Sequence, residues 1–118
     1  MALEIQIKEG DTHLSMKAAG PYHPAEVADF LDRANQEAEI RGYRKILLDV
    51  SEVAGSVPIA DVLVLGEHCA RYRERGYRIA IVSREGGIGR FFESIARNRG
   101  LILAVVPNQA LALEWLID

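Results

Sequence analysis

Four polar side chains crowd one short passage, Asp49, Ser51, Glu52 and Ser56, at the end of the apolar run Lys45-Ile46-Leu47-Leu48-Asp49-Val50. A serine at such a strand-to-helix junction can carry a phosphate, because the free backbone donors of a helix start stabilise it. The same residues have ordinary uses, Ser56 as a helix cap and Asp49 as an end-of-strand turn acceptor. The structural uses weigh more, since a helix start needs a capping residue whatever the protein does.

A second candidate is Gly86-Gly87-Ile88-Gly89, flanked by Arg84 and Arg90. The spacing fits neither the dinucleotide fingerprint nor the Walker pattern, and no Lys-Ser or Lys-Thr pair follows. What it allows is a simple anion site of backbone donors and arginines, comprising Arg84, Gly86, Gly87, Gly89 and Arg90; otherwise the glycines make a tight loop. The histidines are far apart, and only His68 has a soft neighbour, Cys69. Adjacent helical residues point about 100° apart, so these two cannot share one metal, and no metal or cofactor is implied. No nucleophile-base pair rises above background.

The elements that must position these residues are legible from periodicity. Leu3, Ile5 and Ile7 alternate with polar residues as in a half-buried strand, Glu9-Gly10-Asp11 turns, and His13 to Ala18 returns, predicting an antiparallel hairpin. Gly20-Pro21-Tyr22-His23-Pro24 breaks the pattern, and a helix follows from about Ala25 to Ile40. Arg44 to Val50 reads as a buried strand, Pro58 to Arg75 as a helix, and Tyr77 to Val82 as another buried strand. Gly86 to Arg99 opens and forms a helix whose apolar stripe includes Ile88, Phe91, Phe92, Ile95 and Ala96. Leu101 to Val106 is the last strand, and a short helix runs from Pro107-Asn108 through Leu116, with Trp115 and Leu116 packing it onto the sheet. The order β-β-α-β-α-β-α-β-α predicts an α/β domain, with parallel strands in its second half and a mixed sheet of about five strands with four helices.

In the helix from Pro58, 100° steps put Ile59, Val62, Leu63, Gly66, Cys69 and Ala70 on the core stripe. Ala60 and Val64 then lie across it, while His68 falls on the polar side. Apolar residues outside the stripe imply a second contact, either a partner surface or the wall of a ligand pocket; a deeply buried helix is the plain alternative.

The 118 residues are 49% apolar and 26% charged, fitting one soluble domain over 1–118. No apolar run nears the ~20 residues of a membrane span, and Met1-Ala2-Leu3-Glu4 does not read as a secretory leader. One cysteine fits a reducing compartment, so the expected location is cytoplasmic. The net charge of -3 hides a split: residues 1–40 carry three basic and eight acidic groups, whereas 71–99 carry eight basic and three acidic. The split could steer an anionic ligand or an acidic partner, or simply mark solvated faces of different sign. Nucleic acid is excluded by the acidic balance and the lack of aromatics among the arginines.

Three passages carry a family likeness: Leu47-Leu48-Asp49-Val50-Ser51, Ile95-Ala96-Arg97-Asn98-Arg99-Gly100, and Ala110-Leu111-Ala112-Leu113-Glu114-Trp115-Leu116. In this order they resemble the STAS fold of anti-sigma-factor antagonists (SpoIIAA-like). The likeness is closest to the small bacterial STAS-like proteins linked to the SEC14 lipid-transfer fold. The antagonists follow the Asp-Val-Ser strand with Asp-Ser-Ser-Gly, whose serine a partner kinase phosphorylates. Here the matching loop reads Ser56-Val57-Pro58-Ile59-Ala60, with no serine aligned, so the resemblance implies a partner-facing location and not the phospho-switch.

The function expected from these readings is a non-enzymatic regulatory domain acting by protein-protein contact or self-association. Its surface is Asp49, Ser51, Ser56, Val57, Ala60, Val64 and His68. The alternative is a small-molecule or lipid-binding module, with Val57, Val64 and Phe91 lining a pocket and Arg84 or Arg90 holding an anionic head. An enzyme comes third.

Overall fold

A computed structural model describes residues 3–84 and 88–117. The strands are β1 (Glu4–Glu9), β2 (Leu14–Pro21), β3 (Lys45–Ala54), β4 (Arg78–Val82) and β5 (Ile102–Val106). Helices α1 (Pro24–Arg41), α2 (Ile59–Cys69), α3 (Gly89–Asn98) and α4 (Gln109–Ile117) connect or follow them, and a 3₁₀ turn (Ala70–Arg75) continues α2. The strands form one sheet in the order β1-β2-β3-β4-β5, antiparallel between β1 and β2 and parallel thereafter. The mixed sheet and four helices expected from periodicity are therefore present.

Alternation sorts each strand between two faces. Leu14, Met16, Ile46, Leu48, Ile79, Ile81 and Leu103 pack under α1, α2 and α3, which supply Phe30, Leu65 and Phe92 among others. The opposite face sends Leu47, Ala80 and Val82 against Ala112 and Leu116 of α4. Asn108 caps α4, its Oδ1 accepting from the Leu111 N–H at 2.9 Å. At the other end Arg78 donates to the Trp115 carbonyl at 2.9 Å and stacks 4.5 Å over the indole. Arg78→Ala removes both contacts and should cost about 1–2 kcal/mol. Lower Tm with red-shifted emission from this single tryptophan would show α4 loosening, and Arg78→Lys should not rescue it, because lysine lacks the flat stacking group. An unchanged spectrum and Tm would refute the clamp.

Several boundaries differ from expectation. Strand β3 does not stop at Val50 but runs to Ala54, and β2 runs through Gly20 to Pro21, pairing with Val53 and Ala54. Proline is tolerated there because β1 has already ended, its last partner being Ala19, so no ladder on that side needs the missing N–H. Helix α2 gives way to 3₁₀ at Ala70, so the expected helix to Arg75 is two segments. The edge strand β5 has a blunted outer side, where Glu93 of α3 accepts the Val105 N–H at 2.7 Å. Among the described residues one ion pair joins the two sides of the charge split, Arg75 with Glu39; Arg99 pairs with Glu67, and Arg41 with Glu9 and Glu37. Such exposed pairs contribute little stability. Among the described residues, no helix is long and apolar enough to cross a membrane.

Candidate functional site

Asp49 is buried within β3, 6% exposed, and is not an end-of-strand acceptor. Its Oδ1 accepts from the Ser51 N–H at 2.9 Å and from the Ser51 hydroxyl at 2.5 Å. These bonds, reaching two residues on, lie where the β2–β3 register shifts, between Lys17 and Ala19. Beside it Lys17 pairs with Glu52, which raises the lysine pKa. Asp49 and Ser51 are therefore committed to shaping the bulge. Ser56 is exposed and does not cap α2: Pro58 is the N-cap, with no side-chain cap hydrogen bond.

Helix α2 turns Val62, Leu65, Gly66 and Cys69 inward. Ile59 and Leu63, expected in the core, are exposed, Ile59 at 74%, and Val64 is 62% exposed, with Ala60 also exposed. The reason is the centre of the buried arc: it falls between Val62 and Cys69, so Ile59 and Leu63 lie on the flank toward α3. Phe91 of α3, also expected inside, is 49% exposed. Gly66 sits where a Cβ would approach Ile95 Cγ2 to 2.6 Å, which is how closely the two helices meet. On its other flank α2 forms a shallow groove with α1, about 230 Å³, lined by Ala25, Ala28 and Val64.

His68 does not stand free on the polar side. Its Nε2 lies 2.9 Å from Asp32 Oδ1, which also accepts from the Tyr72 hydroxyl at 2.6 Å. This hub ties α1 to α2, and with burial it raises the Tyr72 pKa. Tyr22 makes a second such tie, donating to Asp61 at 2.8 Å, and burial with that bond raises its pKa. Burial pushes the Cys69 thiol up to about 12, so it is an inert core group. Among the described residues no cluster of three or more His, Cys, Asp or Glu could hold a metal ion.

At the carboxyl ends of β3 and β4 the core is not closed. A cavity of about 30 Å³ has Leu48, Ile81, Leu65 and Phe92 as its floor. Half-exposed Tyr22, Val57 and Ile88 and exposed Gly55 form its rim. Val57 belongs to it, as expected of a pocket wall, but Val64 and Phe91 do not, because both point outward from their helices. Arg84 stands beside the rim, where its Nε donates to the Val53 carbonyl at 3.1 Å and an Nη to the Gly55 carbonyl at 2.6 Å. Those bonds staple β4 to the end of β3. Arg90 is exposed on α3, Gly89 starts that helix, and Gly86 and Gly87 lie outside the described residues.

The sheet order and the three crossovers on one face can be set against solved structures. An anti-sigma factor antagonist from Mycobacterium paratuberculosis matches with a TM-score of 0.64 at 13% identity, covering 99% of this chain and 96% of that one. An uncharacterized protein with a SpoIIAA-like fold from Shewanella loihica matches at 0.54 and 23% identity, covering 98% and 93%. The fold is SpoIIAA-like. No protein-family model and no curated protein matches the sequence. At such low identities, the likeness of this SpoIIAA-like chain is one of fold.

Sequence reasoning missed the Asp32 hub, the Tyr22–Asp61 bond and Asn35, buried on α1 with only its Nδ2 bonded, to the Leu31 carbonyl at 2.9 Å. The hub and the Tyr22 bond join residues 36 or more apart, so no local spacing signals them. Asn35 falls within the apolar stripe of α1, and that position alone was the available signal.

Proposed function

We propose that this chain is a non-enzymatic, cytoplasmic regulatory domain that works by protein-protein contact through the 49–64 segment and the adjoining face of α2. The observation that carries this reading is the exposure of Ile59, Leu63 and Val64 on a helix whose inner face is already fully used. Aliphatics exposed on both flanks of the buried arc are costly to leave bare and mark contact surfaces. The bound states of Asp49 and Ser51 support a scaffold role for these two, leaving Val57, Ala60 and Val64 as the contact residues. The structural neighbour named as an anti-sigma factor antagonist is by that name a protein that acts on another protein, which fits the same class of work. A protein partner or a second copy of the chain would occupy the surface.

Val64→Glu tests this. A charge at a 62% exposed site should leave circular dichroism and Tm unchanged, while partner capture, or self-association seen by sedimentation, falls at least about tenfold. Capture and assembly equal to wild type in the folded variant would sink the proposal.

A further inference from the structure

The sheet has two borders. On β5 Glu93 takes a backbone donor, whereas β1 ends the strand order with β2 on one side only. The hairpin fixes which groups of β1 face outward. The Gly10 N–H donates to the His13 carbonyl at 3.1 Å, so these two residues form a hydrogen-bonded pair. Alternation along the unbroken ladder then turns the backbone groups of Lys8, Gln6 and Glu4 toward β2, and those of Ile7 and Ile5 away from it. Leu3 shares the outward parity, and its N–H donates to Glu26 at 3.0 Å instead of to β2. Ile5 and Ile7 therefore each hold an outward donor and an outward acceptor.

The same strand is complementary to itself. Placed antiparallel to a second copy about a twofold axis through Gln6, Glu4 faces Lys8, Ile5 faces Ile7, and each pair occurs twice. Glu4 and Lys8 are exposed and have no ion-pair partner among the described residues. Ile5 and Ile7 are half-buried against the core, and each would cover the exposed remainder of the other. The outward groups of Ile5 and Ile7 exchange backbone bonds in this register. The neighbouring registers of the same parity, centred on Ile5 or Ile7, lose the charge pairs. The first also needs the Leu3 N–H that Glu26 holds, and the second sets Ile5 against Glu9, whose carboxylate Arg41 holds. An edge lysine ordinarily blocks strand addition, but here the twofold supplies its counter-charge.

We infer that β1 is a self-association edge, at which two copies of this chain join β1 to β1 antiparallel and centred on Gln6, making one continuous sheet from two. The inference stands whether or not α2 binds a partner, since no α2 residue belongs to this edge. A single strand pair is a small contact, so the dimer is weak.

Sedimentation equilibrium of the whole chain at low salt, up to about 1 mM, should show monomer and dimer. Amide hydrogen exchange read by NMR should show Ile5 and Ile7 gaining the most protection as concentration rises. Lys8→Glu sets carboxylate against carboxylate at both ends and should weaken the dimer at least about tenfold. Adding Glu4→Lys to it restores both pairs with the charges exchanged, and should recover the dimer. Both positions are exposed, so neither change reaches the core. Val64→Glu should leave this dimer as it is, which separates the edge from the α2 surface. A chain that stays monomeric over that range overturns the inference. So do dimers that leave the Ile5 and Ile7 amides unprotected, or a double variant as weak as Lys8→Glu.

Discussion

Phe92→Ala is expected to lower folding stability by about 4–5 kcal/mol, the upper part of the range for removing a buried phenylalanine. Phe92 is 1% exposed and lies between α3 and the sheet. Two terms add: the ring's lost burial, and the void it leaves. The void term is large here because the ring already borders the 30 Å³ cavity, so the truncated site merges with existing empty space instead of collapsing around it. Domains of this size have about 5–15 kcal/mol in total, so a sizeable unfolded fraction is expected at moderate temperature. Urea unfolding checks it, through a lower midpoint at unchanged slope. The neighbouring Phe91→Ala is the control, since a ring 49% exposed should cost less than half as much. Equal losses at the two positions would refute the assignment of Phe92 to the core and Phe91 to the surface.

Gly66→Ala should also destabilise, although alanine is the better helix former by about 1 kcal/mol. The added methyl would sit 2.6 Å from Ile95 Cγ2 and 3.0 Å from its Cβ. Those atoms belong to the branch point of a buried side chain next to its backbone, so they cannot swing aside as a lysine tip would. The helices must part, and overpacking of this kind costs about 1–3 kcal/mol, which exceeds or offsets the propensity gain. The net expectation is a loss of up to about 2 kcal/mol. Ile95→Leu moves the branch one carbon outward at equal volume, so the double variant should recover much of the loss. A double-mutant cycle measures that coupling, and independent, additive effects would refute the contact as the cause.

How much of this was legible beforehand depended on whether the cause was local. The hairpin and the parallel half of the sheet followed from alternation, glycines and turn residues, and Gly42 takes φ 79° at the end of α1; the expected Ser56 cap did not, since Pro58 is the N-cap of α2. The end of β3 did not, because Ser51 to Ala54 continue the strand only by virtue of Asp49's side chain and of pairing with Gly20 and Pro21. Periodicity placed Val62 and Cys69 inside correctly but took too wide an arc, admitting Ile59, Leu63 and Phe91. A wheel records that a residue is apolar; only the angle at which the helix meets the sheet decides which apolar residues are covered. The cavity was hidden for a similar reason. Its wall takes Leu31 from α1, Leu48 from β3, Leu65 from α2, Ile81 from β4 and Phe92 from α3, five elements that no local pattern relates. Of the three residues assigned to a pocket wall, Val57 lines this cavity and Val64 and Phe91 do not.

The bond from the Val105 N–H to Glu93 makes the two borders of the sheet unequal. A strand of another molecule that extended the sheet past β5 would first have to displace the Glu93 carboxylate from that donor, so the hydrogen bond that α3 spends on β5 works against edge-to-edge growth at this border.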